Sequence, residues 1–225
     1  MSLDHCRRSD GRGRAHTIPG VLNLLRDDPV AFLLLAASLV LAISMHEFAH
    51  ALAADLQGDR MPRAMGRLTP NPARHLDPLG SLMLLLVGFG WGKPVEFRPQ
   101  ALRSQRFGAA LVALAGPMMN LVLAFGGALL WVAFGTPLFD TAGHFFQLFI
   151  TINVFLAVFN LLPLPPLDGS RLLTIFLPPR HHRIIYFLDQ YGFLILLGLV
   201  LFGGLAFLVP LRDAVTDFIV DLAGA

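Results

Sequence analysis

The sequence predicts an all-α polytopic membrane protein with about four spanning helices, a short re-entrant or interfacial hairpin and a C-terminal surface helix. Composition is the first observation behind this prediction. Of the 225 residues, 55% are hydrophobic and only 14% are charged, which is too apolar for a soluble domain with a polar exterior. The mean hydropathy of +0.65 agrees. In addition, several apolar runs approach or exceed the roughly 20 residues that a helix needs to cross a bilayer.

Four such runs are predicted to span the membrane. Trp131 lies near one end of the second run, where interfacial aromatic residues concentrate. The fourth run qualifies cleanly as a span, whereas the third qualifies only marginally. The four predicted spans are Val30–Ala54, Ala109–Phe134, Phe145–Leu162 and Tyr191–Val209.

Two further apolar segments do not fit a spanning helix. Leu79–Gly92 has too few residues to cross comfortably and contains glycines that permit sharp turns, so a re-entrant or interfacial hairpin is predicted. Leu211–Leu222 places its large apolar residues on one helical face and its charges elsewhere, which is typical of a helix on the membrane surface. The flanks of the hairpin are rich in Pro and Arg and indicate loops or short strands.

Charge and cysteine content narrow the domain organisation and the partners. A net charge of +2 gives no support to a nucleic-acid partner, and the single Cys6 excludes an internal disulfide framework and a cysteine metal cluster. Residues 1–29 are predicted to form a polar, flexible tail rather than a signal peptide. Residues 30–210 then form one membrane domain, followed by an amphipathic tail at 211–225.

The first predicted span carries three ionisable residues in the motif HEFAH, and each would be costly in a bilayer, by about 2.5–3.5 kcal/mol. His46 and His50 are four residues apart, so they lie on one helical face and can hold one metal ion. Neutral imidazoles suit zinc, which lowers the pKa of a bound water to about 7. Glu47 lies beside them as a candidate general base. Such a motif also occurs by chance in soluble helices, but the apolar context favours a metal site.

A third zinc ligand must come from elsewhere, because catalytic zinc usually has three protein ligands. The best candidate is Asp168 in NLLPLPPLDG, residues 160–169, where prolines end the preceding helix and Gly169 permits a turn. A simple exit loop with a turn at this position is the alternative interpretation.

The two motifs constrain the topology. For Asp168 to meet the two histidines, the first and third predicted spans must run in the same direction with the second antiparallel between them. This holds only if Leu79–Gly92 does not cross the membrane. Eleven of the 17 Lys and Arg residues then flank the motif side, which predicts an active site towards the cytoplasm. The basic N-terminal tail argues for the opposite orientation.

Taken together, these motifs resemble the site-2 protease family of intramembrane zinc metalloproteases. HEFAH is similar to the family's HExxH, NLLPLPPLDG to its Asn-x-x-Pro…Leu-Asp-Gly signature, and AGPMMN to its Gly-Pro-x-x-Asn element. RLTPNPARHLDPLG and WGKPV look like the compact bacterial branch, without PDZ or CBS domains. The resemblance covers residues 30 to about 210.

The resemblance implies a function and a set of site residues. One Zn²⁺ per chain would be held by His46, His50 and Asp168, with Glu47 as the catalytic general base. The implied substrate is a membrane protein cut within or near a transmembrane segment. The implied location is a multi-pass protein of the cell, or inner, membrane.

Three further residues are candidates for substrate or oxyanion binding: Asn160, Asn120 and His75. For Asn160 we favour a contact with the substrate backbone or oxyanion, whereas Asn153, on the same helical face, is interpreted as an interhelical hydrogen-bonding residue. Asn120 follows Gly116 and Pro117 and is also interpreted as forming hydrogen bonds with freed backbone groups. The glycine and proline are interpreted as kinking the helix or permitting close packing. His75 is also interpreted as a hydrogen-bonded loop histidine.

Two rival functions are weighed against the protease. A non-catalytic zinc-binding scaffold would not need Glu47, because binding alone requires no base. A metal or proton transporter would need polar residues along a full path across the membrane, but here they cluster near one side.

Overall fold

Four helices are long and apolar enough to cross a membrane, as the sequence predicts. The computed structural model describes residues 26–87, 92–135, 141–176 and 182–224. Most of the predicted N-terminal tail therefore lies outside the described residues. The four long helices are α1 (Pro29–Leu56), α4 (Gln105–Phe134), α5 (Thr141–Asn160) and α7 (His182–Leu201). The predicted fold class is confirmed, and the protein is an integral membrane protein.

Shorter helices connect and flank these spans. They are α2 (Met61–Ala64), α3 (Pro78–Val87), α6 (Gly169–Phe176) and the C-terminal α8 (Leu208–Ala223). Single 3₁₀ turns occur at Pro72–Arg74 and Pro99–Ala101. The loops predicted around the hairpin therefore consist of turns and extended backbone, and strand-like pairing among the described residues is limited to an isolated bridge.

The first spanning helix has clear local start and stop signals. The Asp28 side chain accepts a hydrogen bond from the backbone N–H of Ala31 at 2.9 Å, and Pro29 occupies the first helical position. Both features are typical of a helix N-terminus. Beyond the last turn, Gly58 adopts a positive φ of 106°, which turns the chain away from the helix axis.

Helices α1, α4 and α5 contact one another and form the centre of the protein. At the end of α1, the Gln57 side chain donates to the carbonyl of Gly108 near the start of α4, at 3.1 Å. The end of one helix thus meets the start of the other, so α1 and α4 are antiparallel. Their buried positions are mostly small residues, which lets the backbones approach closely: Ala42, Ala49, Ala51, Ala54, Ala110, Ala113, Ala124 and Ala128.

The segment predicted as a hairpin begins and ends at the same place. Leu76 and Gly92 form an isolated antiparallel bridge, and the Lys93 N–H donates to the His75 carbonyl at 2.7 Å. The ten-residue helix α3 occupies most of the intervening chain, and residues 88–91 lie outside the described residues. Because its two ends are paired, the segment does not carry the chain across the membrane.

The fourth span differs from its predicted boundaries of Tyr191–Val209. The helix starts at His182 and ends at Leu201, and Phe202–Phe207 form turns. Gly203 has a φ of +70°, which ends the helix although the hydrophobic run continues. Upstream nothing breaks the helix, so it extends through polar residues. The predicted C-terminal helix is present as α8, and its Leu208 and Ile219 are buried against α4 and α5.

Candidate metal centre and active site

Three side chains that sequence analysis selected converge on one point. The Nε2 atoms of His46 and His50 are 3.0 Å apart. The Oδ2 atom of Asp168 lies 3.0 Å from His46 Nε2 and 3.2 Å from His50 Nε2. Asp168, which follows His46 by 122 positions in the sequence, is therefore brought to the two histidines of α1.

The Nδ1 atom of each histidine, on the side of the ring away from the convergence point, already forms a hydrogen bond. His46 Nδ1 donates to Asn120 Oδ1 at 2.5 Å, and His50 Nδ1 donates to the backbone carbonyl of Val112 at 2.7 Å. A neutral imidazole carries only one N–H, so these bonds leave each Nε2 with a lone pair. Both inner nitrogens are therefore available as metal ligands.

This arrangement fits a zinc ion better than a set of hydrogen bonds. Two lone-pair nitrogens and a carboxylate oxygen face one another with no proton to share, which is repulsive unless a cation lies among them. In a tetrahedral zinc site with ligand distances of about 2.0–2.1 Å, ligand atoms are about 3.3–3.4 Å apart. The three observed separations of 3.0, 3.0 and 3.2 Å are close to that spacing. The donor set of two imidazoles and one carboxylate is one that catalytic zinc uses.

A compact turn after α5 delivers Asp168. The chain folds back through hydrogen bonds from the Leu164 N–H to the Leu162 carbonyl at 2.8 Å and from the Leu167 N–H to the Leu164 carbonyl at 2.9 Å. A Cβ atom at Gly169 would collide with the backbone carbonyls of Leu161 and Leu162. Glycine at this position therefore allows α6 to start against the end of α5, which holds Asp168 next to α1.

The carboxylate of Glu47 is held in place by the backbone. Its Oε2 accepts a hydrogen bond from the Val95 N–H at 3.1 Å. A Cβ atom at Gly92 would come within 3.9 Å of Glu47 Oε1, so the extended segment 92–98, which contains Val95, passes beside the carboxylate. The N–H orients Glu47 without consuming its capacity to accept a further proton.

Two buried polar residues fix the extended segment that carries Val95. Asp59 accepts from the backbone N–H of Arg98 at 2.6 Å and from its guanidinium at 3.0 Å. Burial raises the pKa of Asp59, but these bonds and one from the Met61 N–H hold it below its usual range. Arg67 donates to the carbonyls of Arg74 and Pro94. The segment is thus anchored on both sides of Val95.

A cavity of about 450 Å³ surrounds these groups. Arg171 and Phe97 form part of its wall, with the guanidinium carbon 5.0 Å from the ring centroid, a distance typical of a cation–π contact. This volume is within the range of about 300–1,000 Å³ of small-molecule and active-site clefts. The cavity is lined by the three candidate ligands and Glu47, by Asn160 and Arg171, and by apolar residues from Ile43 to Leu196.

The remaining sequence candidates lie in different places. Asn160 lines the cavity, and its amide nitrogen donates to the Leu156 carbonyl at 3.0 Å. Asn120 and His75 are fully buried and are not among the residues that line the cavity. His75 donates to the Thr69 carbonyl at 2.6 Å, as expected for a loop histidine. Asn120 bonds His46 instead, a role that the sequence interpretation missed.

Gly116 of α4 faces the histidine pair. A Cβ atom at this position would lie 2.6 Å from both Cε1 and Nε2 of His46 and closer still to Nε2 of His50. Close packing is therefore the reason for this glycine, one of the two interpretations that the sequence left open. The spacing in the sequence could have indicated this role, because Gly116 and Asn120 are four residues apart on one helical face, like the two histidines opposite them.

We therefore expect Gly116→Ala to weaken zinc binding by at least about 10-fold, because the methyl group displaces the imidazole rings. Gly126→Ala on the same helix is the matched control, since a Cβ atom there meets nothing within 4 Å. Zinc content after dialysis against a graded chelator, measured on both purified variants, provides the readout. Equal zinc retention by the two variants would contradict this role for Gly116.

Comparison with known proteins places this chain in a family. Residues 129–201, which include Asp168, match the family model described as "Peptidase family M50". The chain is 39% identical over 199 residues to "Putative zinc metalloprotease YwhC" of Bacillus subtilis, covering 85% of this chain and 91% of that protein. The chain belongs to peptidase family M50.

Other relatives of this M50 peptidase agree. It is 34% identical over 178 residues to "Putative zinc metalloprotease Rip2" of Mycolicibacterium smegmatis, covering 76% of this chain and 67% of that protein. The Rip2 protein of Mycobacterium tuberculosis is 34% identical over 182 residues, with the same coverage. No solved structure matches the chain significantly. The resemblance to the site-2 protease family is confirmed, as is the prediction of a zinc metalloprotease.

Proposed function

We propose that this M50 peptidase is an intramembrane zinc endopeptidase that hydrolyses a peptide bond within or near a transmembrane segment of a membrane-protein substrate. One observation carries this proposal: a complete set of hydrolytic groups lines one cavity between helices that are long enough to span a bilayer. His46, His50 and Asp168 would hold one zinc ion. The bound ion would supply Lewis-acid chemistry, polarising a peptide carbonyl and acidifying water.

The protein's own residues account for the proton transfers. Glu47 takes a proton from the attacking water while the water oxygen forms a bond to the carbonyl carbon of the substrate. The protonated Glu47 then gives that proton to the amide nitrogen as the carbon–nitrogen bond breaks. The Val95 N–H holds the carboxylate in place for both transfers.

The remaining cavity residues would position the substrate. Asn160 keeps an amide oxygen and a second N–H beyond its bond to Leu156, and these groups suit a substrate backbone. A substrate helix must unwind locally, because its carbonyls are otherwise bonded to N–H groups four residues further on. Glu47 in the cavity favours the protease over a zinc-binding scaffold.

We also infer that the cavity faces the cytoplasm and that the protein resides in the cell membrane. The ends of α1 and α5 and the start of α4 lie on one side together with both ends of the α3 segment. The majority of Lys and Arg residues flank this side, which supports a cytoplasmic orientation.

Substrate trapping tests both parts of the proposal. Candidate substrates are membrane proteins that accumulate in cells producing Glu47→Gln and disappear in cells producing the parent enzyme. Each candidate is tagged at both ends and co-expressed with either form of the enzyme. We expect mass spectrometry to place the cut within or beside a transmembrane segment, with release of the cytoplasmic fragment. Cuts confined to soluble loops would contradict intramembrane proteolysis. Release of the opposite fragment alone would contradict the orientation.

A further inference from the structure

A chain of side-chain hydrogen bonds runs through the three central helices and ends at His46. The amide nitrogen of Asn153, on α5, donates to the Phe149 carbonyl at 2.8 Å. The amide nitrogen of Asn120, on α4, donates to Asn153 Oδ1 at 2.9 Å. Asn120 Oδ1 then accepts from His46 Nδ1 on α1 at 2.5 Å. Both asparagines are 0% exposed.

The donor-to-acceptor direction of this series of hydrogen bonds is fixed at the Asn153 end. A backbone carbonyl can only accept, so the Asn153 nitrogen must face Phe149 and its oxygen must face Asn120. Asn120 must then present its nitrogen to Asn153, which leaves its oxygen for His46. The Ala42 carbonyl also accepts from the Asn120 nitrogen and so favours the same orientation of the amide, but at the longer distance of 3.3 Å.

The direction matters because it decides which nitrogen of His46 carries the proton. With the oxygen of Asn120 facing Nδ1, the proton resides on Nδ1 and Nε2 keeps the lone pair that a metal needs. If the amide of Asn120 were reversed, its N–H would face Nδ1, and the neutral ring would carry its proton on Nε2. His50 needs no such chain, since it bonds the Val112 carbonyl directly.

We propose that Asn153 is a positioning residue for the metal centre, acting through Asn120 on the tautomer of His46. Asn153 is not among the residues that line the cavity, and its hydrogen bonds within the described part of the chain go to Asn120 and Phe149 rather than to a candidate ligand. This inference rests on the zinc-binding part of the proposed function. A purely structural interhelical bond would stabilise the protein without any specific effect on the metal site.

Zinc affinity and a cobalt spectrum distinguish the two roles. Purified Asn153→Leu is titrated with zinc against a chromogenic chelator, and Co²⁺ replaces zinc for the visible absorption spectrum. We expect zinc affinity to fall by about 10-fold, the lower end of the effect of outer-sphere changes, and the cobalt bands to shift. Ser44→Ala is the matched control. It removes a buried hydroxyl near His46 whose hydrogen bond, to the Val40 carbonyl, stays within α1.

A conservative variant provides a rescue. In Asn153→Thr, the hydroxyl can donate to the Phe149 carbonyl and still accept from Asn120, so affinity should recover towards that of the parent. Asn153→Ala removes the same oxygen. It is used in place of Asn153→Leu if thermal unfolding without metal shows that the leucine variant is not folded. Each variant is compared with the parent at equal lipid and detergent content.

The outcomes separate the inference from the function on which it rests. Parental zinc affinity and an unshifted cobalt spectrum in Asn153→Leu, or in Asn153→Ala, would overturn the inference alone. Equal losses of affinity in Ser44→Ala and Asn153→Leu would also overturn it, because the effect would then be general destabilisation. Failure of the parent protein to bind zinc would overturn the proposed function and the inference with it.

Discussion

Replacing Glu47 with Gln should abolish proteolysis while leaving zinc bound. The amide has nearly the same shape as the carboxylate, and its oxygen can still accept from the Val95 N–H, 3.1 Å from the carboxylate oxygen in the parent. It cannot take up a proton at neutral pH, so the transfer from water to the leaving nitrogen is lost. We expect turnover to fall by about 10²–10⁴-fold, measured in proteoliposomes with a trapped substrate.

Glu96→Gln is the matched control for this variant. Glu96 lies in the same extended segment but is exposed and does not line the cavity, so its turnover should equal that of the parent. Zinc content should be unchanged in both variants. Near-parental turnover by Glu47→Gln would remove Glu47 from the role of general base.

Replacing Asp168 with Ala should cost the protein its metal. Asp168 Oδ2 lies 3.0 and 3.2 Å from the two histidine nitrogens, and two imidazoles alone do not complete a zinc site. A lost ligand should cost more than the lost support of a ligand, so we expect zinc affinity to fall by more than about 100-fold. Equilibrium titration against a chelator measures this loss, and proteolysis should disappear with it.

Asp213→Ala controls for the loss of a carboxylate. Asp213 is exposed on α8 and pairs with the neighbouring Arg212 at 2.6 Å, so its removal should leave zinc affinity unchanged. If Asp168→Ala bound zinc as tightly as the parent, the third ligand would have to be another group.

The central features of this site could be predicted from sequence because they depend on local spacing and on chain direction. His46 and His50 share a helical face through their spacing of four residues, which any helix preserves. Asp168 required a further argument, namely that the segment between the first two spans does not cross the membrane. The bridge between Leu76 and Gly92 agrees with that argument.

Other features could not be predicted, because they leave no trace in residue type. The group that holds Glu47 is a backbone N–H, and the side chain of Val95 gives no hint of it. Asn120 could serve the backbone, a substrate or a histidine, and only the packing of α4 against α1 selects His46. The end of α7 was missed because hydropathy does not register the positive φ of Gly203.

X-ray absorption at the zinc edge of the purified protein tests the central claim most directly, that one ion is shared by α1 and the loop after α5. We predict one zinc per chain, coordinated by two imidazole nitrogens and by oxygen at about 2.0–2.2 Å, with the imidazole signal halved in any zinc retained by His50→Ala. A protein that binds no zinc, or zinc whose spectrum lacks imidazole scattering, would contradict this account.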